Sequence, residues 1–283
     1  MMKRLFISFF VAFLIIGFFG WLYLTIFYYS VAYLGAFISA FSGIFYFAGI
    51  YTFDKSSSNI SKTNPYGIIN YLGLIIVLFS LYQNPEPVHY FAGAYAALNL
   101  VMWQKYLAWY SAFGERNLAI EIDKKLLSKG ILHLNGSAVQ VGSLLAKPSV
   151  WLFYRGNWCP FCVAQVKELV AHYQEIEALG YQINLVSNQN QEHTQSLGNS
   201  LNIHANFFVD ENAEYSKALG LFDKGGLPLG LELLDYQSDV LYPAIIITDR
   251  NGIVRFFDVT DNYRDRPEAA LILEELKRFK GVG

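Results

Sequence analysis

Cys159 and Cys162 are the chain's only cysteines, and they stand three apart in FYRGNWCPFC, residues 153–162. An apolar run precedes them and a helical pattern follows, so the pair predicts a dithiol/disulfide centre. Pro160 suits the first turn of a helix, which sets Cys159 at or beside its N-cap. There, free amide N–H groups and the positive end of the helix dipole favour a thiolate, the nucleophile in exchange. Cys162 comes one turn later on the same side, placed to resolve a mixed disulfide. The expected cycle is attack by Cys159, resolution by Cys162 and reduction by an outside molecule, since there is no third cysteine. A zinc site needs more ligands than these, and His133, His172, His193 and His204 fall on different predicted elements, so no metal is expected.

Residues 150–154 are an unbroken apolar run, the pattern of a strand buried on both faces. Across 160–179, Val163, Val166, Val170, Tyr173 and Ile176 share one helical face, and Gly180 stops it. Residues 131–141 predict a hairpin turning at Asn135-Gly136. Further strands are expected at 182–187, 206–209, 244–248 and 253–257, the last two flanking a hairpin turn at 249–252, with helices over 213–219 and about 267–279. The pattern predicts an α/β domain over 130–283 whose sheet is covered on both faces. Ahead of it, 113–129 carries Leu118, Ile122 and Leu126 at four-residue spacing, predicting an amphipathic linker helix.

Residues 1–112 differ in composition. No residue from 5 to 53 is charged, a stretch long enough for two spans of about 20 residues each. Spans are expected at about 5–29, 31–53, 66–83 and 88–110. The first apolar run continues well past a signal-peptide core and no Ala-x-Ala site follows it, so a retained span is predicted. Lys3 and Arg4 precede the first span, Lys55 and Lys62 follow the second, Lys105 lies near the end of the fourth, and Arg116, Lys124, Lys125 and Lys129 follow it. The short stretch between the third and fourth carries Glu86 and no base. That asymmetry predicts both termini, and the α/β domain, on the cytoplasmic side of a bacterial inner or plasma membrane. The region has no cysteine and a single histidine, His89, which excludes a cysteine relay or an intrinsic haem conduit. Asn70 and Asn99 are expected to bond between helices, and the region's role to be anchoring in the bilayer.

Four segments carry a resemblance: FYRGNWCPFC, DENAEYSKALGL (210–221), YPAIIITDRNGIV (242–254) and NYRDRPE (262–268). In order and type they resemble the peroxiredoxin-like branch of the AhpC/TSA redoxins, within the thioredoxin-fold superfamily, over roughly 131–279. The resemblance implies a thioredoxin-like α/β fold behind the helical transmembrane region. It makes Cys159 the attacking cysteine, Cys162 the resolving one and Trp158 the aromatic residue before the pair. Pro243 falls where such folds place a cis-proline that docks substrate. Aligned on true peroxiredoxins, however, Cys162 takes the peroxidatic position, Cys159 that of the motif threonine and Arg155 that of the motif proline. Their second arginine has no counterpart around Tyr242-Pro243, which leaves Arg155 as the nearby positive charge. The carboxylate that thioredoxins carry in the first central strand is absent from 150–154, leaving proton handling to water or Glu168.

The expected activity is membrane-anchored thiol–disulfide exchange on a disulfide-bearing protein. It needs no bound cofactor and an external donor such as thioredoxin or glutathione. Thiol-dependent reduction of peroxides, lipid hydroperoxides included, is the second reading. A redox-sensing membrane scaffold without turnover is the third. With a net charge of −2, nucleic acid is not an expected partner.

Overall fold

The computed structural model describes residues 2–53, 65–201 and 205–280. Lys55, Lys62, the polar segment 56–64, which the sequence predicts to be a short loop, and His204 lie outside them. The chain divides at Ala112/Phe113 into a helical unit and an α/β unit.

The helical unit contains α1 (Met2–Tyr28), α2 (Val31–Phe53), α3 (Pro65–Gln83) and α4 (Pro87–Lys105), the last running into a π-helical turn at Tyr106–Tyr110. Gly35 and Gly73 let α2 and α3 approach so closely that a Cβ on Gly73 would lie 2.6 Å from the Gly35 carbonyl oxygen. Asn70 and Asn99 bond between helices, as expected. Ser39 Oγ donates to Asn70 Oδ1 at 2.8 Å, and Asn99 Nδ2 donates to the Ser39 carbonyl at 2.8 Å and to its hydroxyl at 2.9 Å. Three helices among the described residues, not four, are long and apolar enough to cross a membrane: Met2–Tyr28, Val31–Ile50 and Pro65–Gln83. α4 falls short because it carries polar residues; Gln104 and Lys105 at its end are exposed, whereas His89 and Asn99 face inward. Asn99 is fully buried, and buried His89 bonds Ser30 Oγ at 2.9 Å and the Asn84 carbonyl at 3.0 Å.

The α/β unit is built on a seven-stranded mixed sheet. Its strands are β1 (Ile131–Leu134), β2 (Ser137–Gln140), β3 (Ser149–Phe153), β4 (Gln182–Ser187), β5 (Asn206–Val209), β8 (Ala244–Thr248) and β9 (Val254–Asp258). They lie in the order β2-β1-β5-β4-β3-β8-β9. β3, β4 and β5 run parallel, and β8 and β9 form the expected antiparallel hairpin. Helices are α5 (Val141–Leu144), α6 (Pro160–Ala171), α7 (Tyr173–Ala178), α8 (Gln191–Leu201), α9 (Glu214–Leu219) and α10 (Ala269–Arg278). The first hairpin turns through Asn135 and Gly136, both at positive φ (51° and 80°), as a two-residue turn requires. All five β3 residues are buried, and Trp151 Nε1 donates to Thr248 Oγ1 across the pairing with β8.

Several elements depart from expectation. The helix expected over 160–179 breaks at His172 (φ −99°, ψ 14°), which re-aims α7 so that Ile176 is buried and Glu175 meets Lys277 at 2.8 Å. Helix α8 was not legible because QEHTQSLGNSL is almost entirely polar and buries only Thr194 and Leu197. A small sheet of β6 (Phe222–Asp223) and β7 (Val240–Leu241) was likewise not expected.

The connector at 113–129 is not a helix; it is irregular, with a turn at 122–124, and belongs to the domain. Its backbone bonds are made outward: Phe113 N–H to the Asp261 carbonyl, Ala119 to Leu219, Asp123 to Val254 and Leu126 to Gly252. Leu118 and Ile120 pack in the core together with Leu126, while Ile122 is 48% exposed. The true period over 118–120 is therefore two, not four.

The connector rests on Gly220, which ends α9 at φ +79°. A Cβ there would collide with the Asn117 carbonyl. Gly220→Ala is expected to cost roughly 1–3 kcal/mol from the left-handed backbone alone, and more with the collision. The check is a lower thermal midpoint of the detergent-solubilised chain followed by near-UV circular dichroism.

Candidate active site

The two cysteines lie at the C-terminal end of β3 and the start of α6, where open α/β sheets bind their ligands. Cys159 is the N-cap of α6 and Pro160 opens its first turn, as the spacing predicts. The 159 carbonyl accepts from both Cys162 N–H and Val163 N–H at 3.0 Å. The turn between β3 and α6 needs Gly156, at φ +140°, where a Cβ would strike the Trp158 indole at 2.8 Å. Gln189, at the end of β4, clamps this turn. It accepts from Asn157 N–H at 2.9 Å and donates to Asn157 Oδ1 at 2.9 Å and to Tyr154 Oη at 3.2 Å.

Both cysteines are unlinked thiols with their sulfurs 2.8 Å apart, sharing a hydrogen bond. Cys162 is 0% exposed and Cys159 2%. Positive charge gathers on the inner one. Arg266 Nη2 reaches Cys162 Sγ at 3.8 Å, while its Nε donates to the Tyr263 carbonyl at 2.7 Å. Arg155 adds its backbone N–H and its guanidinium charge. That guanidinium is held by the Gly226 carbonyl at 2.6 Å and Asp223 at 3.3 Å, and sits 5.3 Å from the Trp158 ring.

Burial pushes the Cys162 thiol up, but the hydrogen bond with Cys159, the Arg266 charge and the two groups of Arg155 outweigh it and bring it to about 6. Cys159 goes the other way. Burial, the hydrogen bond and the neighbouring sulfur's charge hold it well above the ordinary thiol value, with the arginines a smaller offset. The expectation that Cys159 is the thiolate assumed a helix N-terminus acting alone; here two guanidinium groups favour the sulfur one turn deeper. Tyr154, fully buried beside them, is kept protonated by its burial.

The other expected site residues divide. Arg155, Trp158 and Pro160 surround the pair. Pro243 is buried at the head of β8, beside the end of β3, but no described peptide bond is cis, so the expected cis-proline is a trans one. Glu168 is engaged elsewhere, accepting from Ala269 N–H at 2.9 Å. The second arginine, sought around Tyr242-Pro243, comes instead from Arg266 in the loop before α10. Its signal was present in NYRDRPE, two arginines just ahead of a helix, but nothing local ties that loop to residue 162.

Fold and site together define a thiol redox domain on a thioredoxin-type sheet. The AhpC/TSA family pattern matches residues 122–257, and this segment is an AhpC/TSA family domain. Similar solved structures include AhpC of Enterococcus faecalis, 18% identical, covering 56% of this chain and 92% of that one (TM-score 0.46). Reduced Prx3 of Vibrio vulnificus in complex with hydrogen peroxide is 20% identical, with 56% and 99% covered (TM-score 0.47). Peroxiredoxin 5 of Alvinella pompejana is 12% identical, with 56% and 99% covered (TM-score 0.46). No curated protein matches the chain.

Since Cys162 ionises near 6 and Cys159 far higher, alkylation of the reduced chain is expected at Cys162 alone at neutral pH. Its rate should climb as pH rises through about 6 and then level off. Peptide mapping after iodoacetamide pulses checks this, and preferential labelling of Cys159 would contradict it.

Proposed function

We propose that this protein is a thiol-dependent hydroperoxide reductase in which Cys162 attacks and Cys159 resolves. The observation that carries the reading is a buried Cys162 sulfur facing Arg266 and Arg155 while its partner keeps its proton. The Cys162 thiolate attacks one peroxide oxygen, the O–O bond breaks, and the other oxygen leaves as an alcohol or water after taking a proton from solvent. Cys162 is thereby oxidised by two electrons to a sulfenic acid. The Cys159 thiol attacks it, forming the S–S bond and expelling water. An external thiol donor, one thioredoxin dithiol or two molecules of glutathione, then reduces the disulfide and is itself oxidised to a disulfide. Burial of both sulfurs favours a substrate as small as a hydroperoxide over a folded protein's disulfide. Exchange with a disulfide-bearing protein is the second reading, supported by the Cys-x-x-Cys spacing at a helix start.

Cys162→Ser is expected to abolish peroxide consumption. Cys159→Ser should accumulate a sulfenate on Cys162 that dimedone traps. Mixed protein disulfides through Cys162 in the Cys159→Ser chain, without peroxide turnover, would favour exchange instead. An absence of turnover with either substrate, alongside redox-dependent association, would point to a sensing scaffold.

The proposal includes anchoring in a bilayer by all four helices, with the redoxin domain in the cytoplasm, where dithiol donors are reduced. Although α4 averages as less apolar, its outward residues Tyr90, Phe91, Leu98 and Val101 are apolar and exposed. In a chain with both native cysteines replaced by serine, an impermeant maleimide should label E86C in intact cells. L233C should be labelled only after lysis. Labelling of both from outside would place the domain on the other face.

A further inference from the structure

Cys162 and Glu168 sit on the same helix, α6, and Arg266 and Ala269 on the same short stretch of chain leading into α10. The stretch is pinned to the helix at both points, Arg266 Nη2 to Cys162 Sγ at 3.8 Å and Ala269 N–H to Glu168 Oε1 at 2.9 Å. Just before the first pin on each segment, the Tyr263 ring packs edge-on against Phe161 of the same helix at 5.4 Å. Arg266 and Ala269 are separated by three steps of chain, a reach of about 10 Å. The register of one pin therefore sets the register of the other. We propose that Glu168 is a positioning residue: its carboxylate, by holding Ala269 N–H, fixes the loop so that Arg266 reaches Cys162. The proposal rests on Cys162 being the attacking sulfur, but its test needs no turnover.

The charged or titratable groups facing Cys162 are Cys159, Arg155, Tyr154 and Arg266, and Arg266 is itself near Asp258. Glu168 is negative. If it influenced Cys162 only through its charge, removing it would make the thiol more acidic. Acting through Arg266, its removal makes the thiol less acidic. The two roles have opposite signs.

The experiment follows the pH profile of Cys162 alkylation in the reduced, full-length protein in detergent. For Glu168→Ala the midpoint should move upward from about 6, slowing the reaction at that pH by roughly three- to tenfold. Glu168→Asp keeps the charge but shortens the reach and should also move upward, whereas Glu168→Gln keeps an acceptor oxygen and should stay near the parent. Arg266→Ala should move the midpoint upward by itself, and adding Glu168→Ala should move it no further. A Glu168→Ala profile that is unchanged or shifted downward, an unmoved Glu168→Asp profile, or additive shifts in the double variant would overturn the proposal. Loss of peroxide turnover in the parent chain with the shifts intact would sink the hydroperoxide reading alone.

Discussion

The site depends on a buried sulfur anion and a buried guanidinium that each make the other tolerable. Desolvation opposes both: it pushes the Cys162 thiol up and pulls Arg266 below its usual value, and in each case the partner's charge works against that loss. Removing one partner of a buried pair leaves the other uncompensated, which costs more than the pair ever contributed. The surrounding architecture can be understood as what holds this contact: the glycine turn after β3, the Gln189 clamp on it, and a loop fastened to α6 at two points. The proton that Cys162 gives up is not needed nearby, because Cys159 keeps its own.

How much of this was legible in the sequence depends on how local each interaction is. The dithiol, the helix it caps, the strand before it and the hairpins at 131–140 and 244–258 are set by neighbours in the chain, and the residue pattern shows them. Arg266 is 104 residues from Cys162, and no local pattern announces that distance. Arg266 bears on Cys162 through that same long-range contact, so the spacing that favours Cys159 as the thiolate carries no trace of it. The connector misled for another reason. Leu118, Ile120, Ile122 and Leu126 fit both a period of two and a period of about four, and only backbone bonding to β9 and α9 decides between them.

The helical unit shows the converse. Hydropathy averaged around a helix counts its inward face together with its outward one. α4 places Asn99 and His89 inward, against Ser39 and Ser30. Its average is therefore lowered in part by polar groups that bond between helices.

The 104-residue separation also has a meaning in time. On a ribosome adding about 5–20 residues per second, Cys162 is polymerised roughly 5–20 s before its guanidinium partner. Through that interval the nascent thiol lacks the charge that favours its ionisation. The electrostatics of this sulfur are thus completed only after elements made about a hundred residues later have docked.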